Sequence, residues 1–139
     1  WMEDIMKSLS LDCKIHTFDI NPDRVKLPED SKIKYHELDN NKIKEFTDQS
    51  RELFENMESP ILIIEDSHVN VDEVVKSIDP FLKSGDYLVI EDTLDRQKYQ
   101  DTILSENGIS SMNYEVDTYY CDFWGVNNSW NINSIFRKV

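Results

Sequence analysis

Ile61-Leu62-Ile63-Ile64-Glu65-Asp66 and Tyr87-Leu88-Val89-Ile90-Glu91-Asp92 decide how the chain is read, because each is a short apolar run that stops at a pair of acids. A continuous apolar run of this length, bounded by polar residues, is the pattern of a strand covered on both faces of a parallel sheet. Between the two runs, from Asn70 to Ser84, Val71, Val74, Val75, Ile78 and Leu82 fall at helical spacing and predict an amphipathic helix. Strand, helix, strand is a right-handed crossover unit whose strands run parallel. Both acid pairs therefore reach the same carboxyl edge, where open α/β folds hold their ligands. Carboxylates crowded at one edge raise each other's pKa or recruit a cation. Hard oxygen donors suit magnesium, calcium or manganese rather than zinc. The structural alternative is that Asp66 caps the following helix and that Glu91 and Asp92 are solvated strand-end acids.

The 139 residues are expected to form a single domain, residues 1–139, with one core. Charged residues make up 31% and the formal net charge is -13, which argues against nucleic acid as a partner, since phosphate recognition needs a basic surface. No apolar run approaches the length of a membrane span, and no secretory leader pattern is present, so the expected address is the cytoplasm. Cys13 and Cys121 lie far apart without a CxxC or histidine-rich setting and read as reduced, unpaired thiols.

Outward from the central unit, Met2, Ile5, Met6 and Leu9 sit at helical spacing, so the chain opens within a helix. Lys14 to Asp19 is β-prone and ends in an acid, and Pro22 marks a turn. An acid at that place can accept hydrogen bonds from two ribose hydroxyls, or it can cap the turn that follows. Ser31 to Leu38 reads as a second strand, with Ile33, Tyr35 and Glu37 alternating against Lys32, Lys34 and His36, and ends at Asp39. Asn41 to Met57 reads as a helix separated from the next strand by Ser59-Pro60. Beyond the central unit, Asp95 to Glu106 is expected to be helical and to end at Asn107-Gly108. Tyr114 to Val139 is rich in aromatic residues and asparagine, as a sheet-edge cover or a pocket wall, with strand propensity returning from Ile132.

Strands ending at Asp19, Asp39, Asp66 and Glu91-Asp92, with a closing β-prone segment, resemble the SAM-dependent class I methyltransferase fold. The stretch Ile61-Leu-Ile-Ile-Glu-Asp-Ser-His68 and the stretch Phe81-Leu-Lys-Ser-Gly-Asp-Tyr-Leu-Val-Ile-Glu-Asp-Thr93 are similar to the cephalosporin hydroxylase and rhamnosyl O-methyltransferase family, as is the ending Asn133-Ser-Ile-Phe-Arg-Lys-Val139. The resemblance implies a Rossmann-like α/β sheet with helices on both faces, lacking the first strand and the glycine-rich turn after it. It implies SAM and magnesium as cofactors. Asp19, Leu38 and Asp39 would bind SAM, Asp66, Glu91 and Asp92 would hold the metal, and His68 would act as a base or substrate contact. One departure concerns that histidine: the family's Asp-Ser-x-His element is here Asp66-Ser67-His68, one residue shorter.

The activity implied is metal-dependent O-methylation of a hydroxyl on a small molecule, a sugar or a secondary metabolite, and a homo-oligomer is compatible with it. Hydroxylation would need redox iron and a histidine-rich ligand set, which three histidines do not favour. A different class remains open: a non-catalytic magnesium-binding α/β module such as a receiver domain. That class expects a lysine where Glu91 and Asp92 stand. A methyltransferase scaffold that has lost its chemistry is the third reading.

Overall fold

Val71, Val74, Val75 and Ile78, the stripe that predicted a helix, are all nearly inaccessible to solvent and form the inner face of α3, Val71–Ile78. In the computed structural model, which describes residues 2–21, 23, 26–91, 113–120 and 134–139, α3 joins two parallel strands, as the crossover reading requires. The helix stops one turn earlier than its stripe: Pro80 cannot donate to a continuing helix, and Asp79–Phe81 forms a single 3-10 turn before Leu82 becomes extended.

The described elements run α1 (Met2–Ser8), β1 (His16–Asp19), β2 (Lys34–Glu37), α2 (Ile43–Glu55), β3 (Leu62–Glu65), α3, β4 (Tyr87–Ile90), β5 (Tyr114–Val116) and β6 (Ile135–Lys138). β1 and β2 pair in parallel as a two-stranded sheet. A four-stranded sheet has the order β3-β4-β6-β5, parallel between β3 and β4 and antiparallel on both sides of β6. No helix among the described residues is long and apolar enough to cross a membrane.

Two clusters share the space between sheets and helices. Val71 and Val75 of α3 pack on Leu88, Ile90 and Phe136, and Ile63, Tyr114 and Val116 close around them. A second cluster joins Phe46 and Phe54 of α2 to Val74, Ile78, Leu82 and Leu38, with Phe18 of β1 and Ile61 and Ile63 at its margin. α2 and α3 therefore form one layer under both sheets. α1 lies on the other face: its Met6 lines a cavity with Ile15 and Ile33, the odd-numbered positions that point away from Phe18 and α2.

Three expectations change. β3 is not covered on both faces: Leu62 and Ile64 are 56% and 43% exposed, while Ile63 and Glu65 turn inward. In β2, Tyr35 and His36 are both half-buried and Glu37 is exposed, so the alternation breaks where β2 pairs through one edge only. Tyr114–Val116, read as part of an aromatic cover, is a strand. The expected helix 95–106, Gly108, Cys121 and the aromatic stretch 121–133 lie outside the described residues.

Asp86 anchors the entry to β4. It is wholly buried, and its carboxylate accepts from the Ile61 N–H at 2.9 Å, the Lys83 N–H at 2.8 Å and the Ser59 hydroxyl at 3.0 Å, so a charge inside the fold is fully engaged. At the same end of the β4–β6 ladder, Lys138 donates its N–H to the Asp86 carbonyl at 2.8 Å, and its side chain pairs with Asp79 at 2.7 Å, with both side chains largely buried, and lies 4.7 Å from the centre of the Tyr114 ring. Burial, with the charge of Asp79 adding, drives the Tyr114 phenol far above its ordinary pKa.

Candidate functional site at the carboxyl edge

The parallel strands deliver their last residues to one edge. Asp19 ends β1, Leu38 and Asp39 follow β2, Glu65 ends β3 with Asp66 to His68 following it, and Glu91 follows β4. The loops after β2 and β3 are stitched directly: the Asn40 side-chain amide donates to the Ser67 hydroxyl at 2.8 Å, and the Asn70 amide donates to the Asn40 carbonyl at 2.7 Å.

Asp19 is half-buried, and one carboxylate oxygen accepts the Asn21 N–H at 2.9 Å. This is a turn of the kind Asp makes with the backbone two residues on, and it fixes the side chain with its second oxygen unengaged among the described residues. Asp39 makes the same turn with Asn41, accepting both its backbone N–H at 2.9 Å and its side-chain amide at 3.0 Å. Those donors, the backbone one first, hold the Asp39 carboxyl below the usual carboxylate range despite its partial burial, with a smaller contribution from Lys42. Leu38 turns inward and packs with Phe46 and Phe54, so only its backbone is at the edge.

After β3 the two acids separate. Glu65 is 5% exposed and accepts from both the backbone N–H and the hydroxyl of Ser67. Asp66 is exposed and sits 2.8 Å from His68 Nε2. It does not cap α3, whose N-terminal flanking residue is Asn70. His68 itself has φ of 60°, a left-handed conformation that swings its ring back toward Asp66. Glu91 donates its N–H to the Glu65 carbonyl at 3.0 Å, which extends the β3–β4 ladder by one step. Since Glu65 is paired with Ile90, continuing the alternation puts Asp66 and Glu91 on the opposite side of the sheet from α3.

Of the expected metal ligands, Asp66 and Glu91 are thus on adjacent strand ends, and Asp92 lies outside the described residues. Among the described residues, no group of three or more His, Cys, Asp or Glu is placed to hold an ion. Glu65 was read from the sequence as one of the acids converging at the edge but given no role of its own, Ser67 only as part of the Asp66-Ser67-His68 element, and Asn40 was not singled out. For Glu65 the signal was the alternation itself, which sets it on the inward side with Ile63.

No family model matches the chain, and no curated protein matches it. Solved structures do. The structure described as "CmcI-N160 apo-structure" matches all of this chain and 58% of its own, with a TM-score of 0.76 and 24% identity. The one described as "cmcI-N160 SAH" matches all of this chain and 62% of its own, with a TM-score of 0.72 and 23% identity. The fold is that of these CmcI-N160 structures: a Rossmann-like α/β arrangement with helices on both faces. This chain spans about three fifths of the length of either.

Proposed function

We propose that the chain forms the cofactor-binding core of a SAM-dependent O-methyltransferase acting on a hydroxyl of a small molecule, a sugar or a secondary metabolite. The observation that carries this reading is the match of the whole chain to a structure described with SAH, S-adenosylhomocysteine, which is what remains of SAM once the methyl group has been transferred. SAM supplies an electrophilic methyl group on a sulfonium centre.

The residues at the carboxyl edge fit such a ligand. Asp19 is preset by Asn21 and keeps an oxygen to accept from ribose hydroxyls. Asp39, held ionised by Asn41, and the backbone of Leu38 form the neighbouring wall for the base. His68, whose Nε2 lies 2.8 Å from Asp66 Oδ1, has the pairing with a carboxylate that orients an imidazole and is the residue proposed as base or substrate contact. Asp66, Glu91 and Asp92 are the carboxylates that would hold magnesium, whose charge lowers the pKa of a bound hydroxyl. The donor set is of hard oxygens, and Asp66 and Glu91 follow neighbouring strands on one side of the sheet.

Calorimetric titration with S-adenosylhomocysteine tests the nucleotide half. Binding that weakens by about tenfold or more in Asp19→Ala, the loss of a charge-assisted hydrogen-bond acceptor, supports the proposal; an absence of binding to the unaltered chain overturns it for this chain. A parallel titration with magnesium, using Asp92→Ala as control, tests the metal half separately. Binding of cofactor without methyl transfer to any hydroxylated acceptor would favour the scaffold that has lost its chemistry.

A further inference from the structure

We infer, resting on the cofactor reading above, that Asn40 is a positioning residue: it carries occupancy of the loop after β2 across to Asp66 and His68 after β3, so that the acceptor side of the site is set once the cofactor side is filled. Asn40 lies inside a tight turn. The Lys42 N–H donates to the Asp39 carbonyl at 2.9 Å and closes Asp39 to Lys42 as a four-residue turn with Asn40 in its second position. The Asp39 carboxylate braces the same turn by accepting the Asn41 N–H and side-chain amide, at 2.9 and 3.0 Å. A ligand that fixes Asp39 therefore fixes Asn40 as well.

From this turn both polar ends of Asn40 reach the next loop. Its side-chain amide donates to the Ser67 hydroxyl at 2.8 Å, and its backbone carbonyl accepts the Asn70 side-chain amide at 2.7 Å. The chemistry of the groups fixes the direction of each bond. Ser67 has one hydroxyl proton, and the Glu65 carboxylate is a stronger acceptor for it than the Val69 carbonyl 3.3 Å away. Ser67 must then accept from Asn40, and only the NH2 end of the Asn40 amide can donate to it. A directed chain results, from Asn40 to Ser67 to Glu65, and its far end is a carboxylate only 5% exposed.

Between Ser67 and Asn70 lies the stretch that carries His68. The backbone turns left-handed twice there, with φ of 60° at His68 and 50° at Asn70, a region that residues with a β-carbon keep only when their surroundings hold them in it. Asn40 holds both ends of the stretch. Asp66, whose Oδ1 is 2.8 Å from His68 Nε2, precedes the Ser67 end directly. Truncating the Asn40 side chain releases that end while keeping the backbone carbonyl that Asn70 bonds and the carboxylate of Asp39.

Amide hydrogen exchange, with and without saturating S-adenosylhomocysteine, is compared in the unaltered chain and in Asn40→Ala. The Asn41 amide, bonded to Asp39, reports whether the cofactor loop is occupied; the Ser67 and Val69 amides report whether occupancy crosses to the next loop. In the unaltered chain the ligand is expected to slow all three by about tenfold or more. In Asn40→Ala it should slow Asn41 alone. A brace without a positioning role would shift Ser67 and Val69 by the same factor in the free and bound chains, so ligand protection of those two amides that persists in Asn40→Ala overturns the inference and leaves the cofactor reading standing. Protection of Asn41 alone in the unaltered chain overturns it in the same way. No binding of S-adenosylhomocysteine to the unaltered chain overturns the cofactor reading and this inference with it. If Asn40→Ala does not fold, Ser67→Ala breaks the same bond from the other loop, and the comparison is made at Val69 with the same deciding outcomes.

Discussion

Asp86 shows how much one carboxylate can organise. Its oxygens satisfy two backbone donors, of Ile61 and Lys83, that flank β3 and β4. Removing it takes the acceptor from both, and the half-buried Ile61 N–H has less access to water as a replacement than the exposed Lys83, so Asp86→Ala is expected to lower stability by about 1–3 kcal/mol in urea unfolding. The histidine pair between β1 and β2 is a second local device. His16 Nδ1 and His36 Nε2 are 2.9 Å apart, the rings stack at 5.2 Å, and Phe18 stacks on His36 from the α2 side. Burial first, and then the charges of Lys34 and, for His16, of His36 and Lys14, push both pKa values below 6.5. The folded chain thus binds fewer protons here than the unfolded one. Stability from this pair is complete above the ordinary histidine pKa of about 6.5 and is lost as pH falls below it toward the lowered folded values. Urea midpoints at pH 7.5 and 5.5 should show the decline, and His36→Phe should reduce the difference between them.

At the scale of elements, the strands differ in what they can lose. Phe136 in β6 is completely buried at the centre of the first core cluster, so Phe136→Ala is expected to cost about 3–5 kcal/mol. Leu62→Thr, on the open face of β3, should change stability by no more than about 0.5 kcal/mol; thermal unfolding of the two variants compares them directly. That contrast also marks what could be read from the residues alone. α3 was legible because five apolar positions at helical spacing leave one solution, and β4 because its run is bounded by Gly85 and an acid. β3 carried the same kind of run, but its composition does not say which neighbours it has or that only one of its faces is covered. β5 was missed because Tyr114–Val116 is too short to show a period. The acids at strand ends were legible as a group. Their division into a buried Glu65, a histidine-paired Asp66 and a preset Asp19 was not, because it depends on local turns formed with Ser67, His68 and Asn21.

For the whole molecule, a net charge of -13 on 139 residues means that compaction works against self-repulsion. Monovalent salt should therefore raise the urea midpoint between 20 mM and 200 mM by screening over about 10 Å, and magnesium at matched ionic strength should raise it further only if it binds. The sheet order carries a consequence of its own for how the chain is made. β6 runs between β4 and β5, both of which precede it in sequence. A ribosome therefore releases β4 and β5 with an empty lane between them, and Leu88 and Ile90, although α3 is already available to them, lack their cover from Phe136 until it has left the exit tunnel. Over that interval the chain offers an open strand edge and an uncovered apolar floor, the kind of surface that chaperones and proteases recognise.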